Sequence, residues 1–198
     1  MPVFINETAK GADGKSVTTR RSYNIAPDGT EFSTAREAAI DAIAFAFALR
    51  SVLGDNWERG GYIYMTPTGR FVRSKIMLGT LATTGYAPAG VEAGRPWVPM
   101  TRASSSQTPG RVVAGFHIHP TGVKEDANFS MKTARSSGGD VESFVRYNKG
   151  RVNPVIFFLG GNDGSFDTLQ PIANSPYYIK DDGYRNPVYP LDAGTPTC

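Results

Sequence analysis

The chain contains only two histidines, His117 and His119, two positions apart at the end of the apolar run 112–118. In a strand, side chains at i and i+2 share a face. Both imidazoles would then project together while Ile118 turns back into the core, and Pro120 would end the strand because it cannot donate to a sheet ladder. Two neutral imidazoles side by side make half of a zinc site, whose nitrogen and oxygen ligands lie at about 2.0–2.2 Å. The single cysteine, Cys198, is the last residue, which excludes an intramolecular disulfide and a cysteine-based zinc site. The remaining ligand must therefore be a carboxylate.

Asp140 is the best-placed carboxylate. The spacing of Val141, Phe144 and Val145 predicts a helix over 140–149, with Ser136, Ser137, Gly138 and Gly139 as its start signal. Asp140 would lie in the first turn of that helix, held relative to whatever strand the helix packs on. Taken alone, Asp140 reads first as a carboxylate complementing the helix dipole, and Ser137 as a residue that caps or turns the chain.

Taken together, His117, His119 and Pro120 followed by Ser137 and Asp140 form His-x-His-Pro and Ser-x-x-Asp, a combination that resembles the signature of the JAMM metalloproteases. That family also carries a glutamate upstream, and Glu58 stands in Asn-Trp-Glu-Arg-Gly-Gly-Tyr-Ile-Tyr-Met, at the mouth of a strong strand. Glu58, Gly60, Gly61 and the Tyr-Ile-Tyr that follows also resemble a JAMM-like domain found at the ends of RHS-type polymorphic toxins. The resemblance covers roughly Phe32 to Pro171. It departs in one respect: JAMM proteases usually place the serine closer to the His-Pro, whereas Thr121 to Ser136 intervene here. Ser130 and Asp126 are the alternatives to Ser137 and Asp140, although Thr133 breaks the Ser-x-x-Asp pattern after Ser130.

The resemblance implies a chemistry residue by residue. His117, His119 and Asp140 would hold Zn²⁺ with one position open to water, whose pKa falls toward about 7. Glu58 would take the proton of that water and pass it to the leaving amine, and Ser137 would donate to the oxyanion. The implied activity is that of a zinc metallopeptidase, cutting peptide or isopeptide bonds in a protein or peptide substrate. As a toxin or effector, the chain would also have a cognate immunity or delivery protein. Two other classes remain: a non-catalytic JAMM-like interaction scaffold, and a zinc hydrolase acting on nucleotides or nucleic acid. The second lacks the cysteine ligands of the zinc deaminases.

The elements that must position these residues follow from pattern. Thr34-Ala-Arg-Glu37 is a capping box leading into the apolar helix 34–53, whose small residues suggest close packing on a sheet. Strands are expected at 57–65, 70–73, 112–119, 155–159 and 165–169, with turns at Pro27-Asp28-Gly29, Thr66-Pro67-Thr68-Gly69 and 160–164. The segment 74–110, rich in Gly, Pro, Ser and Thr, reads as a long connection with one or two short strands. The expected fold is α+β, a curved mixed sheet flanked by helices in a single domain; the resemblance implies a JAMM/MPN-like arrangement with a cytidine-deaminase-like core. Residues 1–31 are expected as an extended N-terminal segment, 32–171 as the JAMM-like catalytic domain, and 172–198 as an extended tail packed on it.

Composition narrows the partners. With 40% hydrophobic residues and no apolar run near 18 residues, the chain reads as soluble, without a membrane partner. Its beginning, Met-Pro-Val-Phe-Ile-Asn-Glu, lacks the charged and apolar regions of a secretory signal, so cytoplasmic synthesis is expected, with delivery by a secretion system if it is an effector. The balance of 21 basic and 18 acidic residues is too even to imply a nucleic-acid partner on electrostatic grounds. Lys132, Arg135, Arg146, Lys149 and Arg151 near the site helix read as a solvated face.

Overall fold

Helix α1 (Ala35–Leu53) begins at the capping box. The Thr34 hydroxyl accepts from the Glu37 amide at 3.1 Å, and the Glu37 carboxylate accepts from the Thr34 amide at 3.0 Å. This reciprocal pair satisfies two of the donors that a helix start leaves open. Gly54 ends the helix in the left-handed region, φ 64°, where a side chain would be strained. Thr34→Ala is expected to cost about 0.5–2 kcal/mol, read as a lower urea midpoint with an unchanged slope.

The structure, a computed structural model, describes residues 3–10, 15–81, 96–97, 110–119, 140, 144, 147–148, 151–161, 164–171, 177–181 and 188–190. Its strands are β1 (Val3–Lys10), β2 (Ser16–Tyr23), β3 (Arg59–Met65), β4 (Phe71–Arg73), β5 (Met77–Leu78), β6 (Thr80–Leu81), β7 (Pro96–Trp97), β8 (Arg111–Ile118), β9 (Ile156–Gly160), β10 (Phe166–Pro171), β11 (Tyr177–Asp181) and β12 (Val188–Pro190). The main sheet runs β12-β11-β10-β9-β8-β3-β4, with β5 also on β3. It is mixed: β8 and β9 are parallel, and the other described pairs in it are antiparallel. Parallel neighbours need a crossover connection, and within it Asp140, Phe144, Tyr147 and Asn148 are helical. The α+β class and the mixed sheet are as expected.

Each face of the sheet has its own core. On one face α1 packs Ala39, Ile43 and their neighbours against Ile63, Ala114, Phe116, Ile118 and Phe158. Its small residues permit close approach: a Cβ on Gly160 would stand 2.6 Å from Ile43 Cγ2 and 2.9 Å from Phe47 Cζ. On the other face Phe144 joins Val155, Phe157, Leu159 and Leu169, and Tyr62, Tyr64 and Val72 continue that layer.

In the described parts of the first 31 residues and of the segment after Pro171, the extended chain is paired into strands. Residues 3–10 and 16–23 pair as an antiparallel hairpin that buries Ile5 completely and ties the Asn6 amide to the Gly164 carbonyl at 2.7 Å. One strand's sequence does not state which strand it will pair with, so extended chain and paired hairpin read alike. The tail after Pro171 adds β11 and β12, with Pro190 on the outermost strand, where a missing amide donor is tolerated. Within 74–110, the described part holds three two-residue strands, β5, β6 and β7; residues 82–95 and 98–109 lie outside the described residues. Among the described residues no helix is long and apolar enough to cross a membrane.

Candidate metal centre

His117 lies inside β8, where its alternation with Phe116 and Ile118 puts it on the face opposite α1. Its antiparallel partner is Gly60 and its parallel partner is Leu159. A Cβ on Gly60 would meet the Phe116 carbonyl oxygen at 2.6 Å and His117 Cβ at 3.0 Å, so the glycine lets β3 sit close beside the imidazole. His119 lies one residue past the strand rather than within it. Its amide donates to the Gly160 carbonyl at 3.0 Å, and its carbonyl accepts from Arg50 Nη1 at 2.6 Å.

Asp140 lies on the crossover, where Asp140, Phe144, Tyr147 and Asn148 are helical. Phe144, fully buried, sets its ring edge-on to Phe157 at 5.2 Å, and Tyr147 stacks on Tyr62 with centroids 6.4 Å apart. The Asn148 side chain donates to the Val155 carbonyl at 3.0 Å and accepts from the Val155 amide at 2.7 Å, fastening the segment to the approach to β9. Arg151 closes this end, its Nε donating to the Tyr147 carbonyl at 2.8 Å and its guanidinium lying over the Tyr147 ring.

Three side chains converge at the end of β8. His117 Nε2 and His119 Nε2 are 3.1 Å apart, Asp140 Oδ1 is 3.1 Å from His117 Nε2, and Asp140 Oδ2 is 3.1 Å from His119 Nε2. Both histidines are buried. Burial by itself would raise the Asp140 carboxyl, but the two imidazoles outweigh it and hold the group well below the usual carboxylate range. Asp140 is therefore ionised near neutrality.

Proton counting favours a cation among these atoms. An imidazole Nε2 carries at most one proton. With both protonated there, two donors face each other across 3.1 Å; with one, a bare nitrogen faces a carboxylate oxygen. A cation in the middle would instead receive a lone pair from each of the three. Ligands about 2.0–2.1 Å from a tetrahedral ion lie about 3.3–3.4 Å from one another; the two ring nitrogens are 3.1 Å apart, and each faces its own Asp140 oxygen at 3.1 Å. The donor set thus fits a metal ion.

Glu58 completes the surroundings. It directly precedes β3, is partly buried, and brings a carboxylate oxygen within 4.8 Å of a ring nitrogen on each histidine. Glu58, His117 and His119 form a cluster that could hold a metal ion. The Glu58 carbonyl accepts from the Gly79 amide at 2.8 Å, and the next residue, Arg59, is bidentate to Asp55 at 2.7 and 2.6 Å. The Arg59 hydrogen bonds hold the Asp55 carboxyl below its ordinary range. These contacts fix the chain on both sides of Glu58.

Of the residues singled out from sequence, Glu58, His117, His119 and Asp140 come together; Pro120, Asp126, Ser130 and Ser137 lie outside the described residues, as do Lys132, Arg135, Arg146 and Lys149 of the basic group. The sequence reading missed Arg50, Asn148 and the Asp55–Arg59 pair. The paired glycines after Arg59 were the one available signal, since glycine inside a strand marks close backbone approach. Arg50 had none, because its partner is 69 positions away. Searches against protein-family models, curated proteins and solved structures return no match to this chain.

Proposed function

We propose that this protein is a zinc-dependent hydrolase of peptide or isopeptide bonds, of the JAMM type. The observation that carries the reading is the convergence of His117, His119 and Asp140 at 3.1 Å, with the Glu58 carboxylate within 4.8 Å of both histidines. His117, His119 and Asp140 would hold the ion, with two neutral nitrogens and one ionised carboxylate as donors. When bound, zinc supplies Lewis acidity, lowering the pKa of water toward about 7 and polarising a carbonyl. Glu58 accepts a proton from the attacking water and delivers it to the departing amine. Its position one residue before β3, beside the His117–His119–Asp140 cluster, suits a base that reaches the reacting atoms. Ser137 is the proposed oxyanion donor, with Ser130 as the alternative.

Elemental mass spectrometry of the purified protein tests this reading. About one zinc per chain is expected, with His119→Ala losing it. Full stoichiometry in that variant would remove His119 from the ligand set, and no metal in the parent after zinc is supplied would end the hydrolase reading. Screening a peptide library and isopeptide-linked substrates with the zinc-loaded protein then tests the activity.

A further inference from the structure

We infer that Arg50 is a positioning residue for His119, so that the last turn of α1 sets the geometry of one metal ligand from the opposite side of the sheet; this rests on the metal-site reading above. The two histidines are held differently. His117 sits inside β8, where β3 and β9 fix its backbone from both sides. His119 follows the strand's last residue, and its peptide groups are held by the Gly160 carbonyl at 3.0 Å and by Arg50 Nη1 at 2.6 Å. The second contact is short and charge-assisted, the stronger kind of hydrogen bond. It links residues 69 positions apart, reaching from α1 to the chain just beyond the sheet.

A cation in the last turn of a helix complements the helix dipole, and Arg50 does occupy that turn. Dipole pairing alone, however, leaves the guanidinium in water. Here it is directed at a single carbonyl, with Phe47 beneath it at 5.0 Å. The half-buried guanidinium is held by a specific partner, and that partner is the backbone of a ligand. Groups that orient a ligand from behind typically change metal affinity ten- to a hundredfold when removed.

The test compares the full-length chain with Arg50→Gln, whose side chain is too short to reach, and Arg50→Lys, which keeps a charged donor. Zinc affinity is measured by competition with a chromophoric chelator, and the two histidine ring signals are followed by NMR in the metal-free protein. Arg50→Gln is expected to bind zinc about ten- to a hundredfold more weakly, with Arg50→Lys recovering most of the loss. Because the chain has only two histidines, the spectrum is direct: one ring signal, that of His119, should move or broaden while the other stays. Thr34→Ala, which loosens the far end of the same helix, should leave affinity unchanged. Affinity within twofold of the parent in Arg50→Gln, an equal loss in Thr34→Ala, or histidine signals that move together would each overturn the proposal. Should Arg50→Gln fail to fold, an Arg50→Lys variant whose two ring signals shift equally would also overturn it. A parent chain that takes up no zinc would instead remove the metal reading, while the ring signals still report on the backbone contact.

Discussion

On the hydrolase reading proposed above, Glu58→Gln is expected to cut turnover by about 10²–10⁴-fold while leaving zinc bound. The amide is nearly isosteric with the carboxylate, so the contacts that fix the chain around Glu58, from its carbonyl to Gly79 and from Arg59 to Asp55, are untouched. What disappears is the ability to accept a proton, a role worth typically 10²–10⁴-fold in rate. The loss should fall on kcat, since the substituted group acts on the reacting water rather than on the substrate's remote parts. Single-turnover assays with a cleavable peptide, together with metal analysis of the same preparation, separate the possibilities. A variant that loses both zinc and turnover would make Glu58 a ligand, and one with undiminished kcat would remove it from the mechanism.

The second large effect concerns stability. Asp41 is buried on α1, where its Oδ2 accepts from Arg73 Nε at 2.8 Å and its Oδ1 from the Ala26 amide at 2.7 Å. The Arg73 guanidinium is itself buried; its other carboxylate partner, Asp28, is largely exposed, and its face lies over the Phe45 ring at 4.5 Å. Asp41→Ala therefore leaves a guanidinium buried with only a solvent-screened counter-charge, and orphans a backbone amide. Breaking one side of a buried pair costs about 3–5 kcal/mol, which for a chain of this size means a fall in Tm of roughly 6–20 °C. Asp41→Asn keeps an acceptor for Ala26 and should lose less. Urea unfolding of both variants checks the order, and a loss below about 1 kcal/mol in Asp41→Ala would show that the pair is dispensable.

The sequence made legible what depends on local pattern. The capping box placed the start of α1 at Thr34, alternation and apolar runs placed β3, β8 and β9 within two residues, and glycine-bearing turns at Gly29, Gly69 and Gly164 adopt the positive φ that their composition implied. His117 and His119 were legible as a pair because a strand's two-residue repeat is itself local. Partnership across the fold was not legible. Nothing in Ser-Tyr-Asn-Ile-Ala states that the Ala26 amide will meet Asp41, and nothing in α1 states that Arg50 will reach the His119 carbonyl. Asp41 illustrates the limit well, since a carboxylate on an otherwise apolar helix face contradicts the helical pattern until Arg73 is seen opposite it.

The order of strands in the main sheet has a kinetic consequence. Strands β9, β10, β11 and β12 follow one another both along the chain and across the sheet, so they can zip together through short connections. The strands at the candidate site cannot. β3 must wait for β8 until the chain between Leu78 and Arg111 has closed, and β8 must wait for β9 until the crossover bearing Asp140 has folded back. Each doubling of a closed loop adds about 0.6 kcal/mol of lost chain entropy, and such non-local pairings slow folding. The seam where Glu58, His117, His119 and Asp140 meet is thus expected to pair more slowly than the meander of β9 to β12.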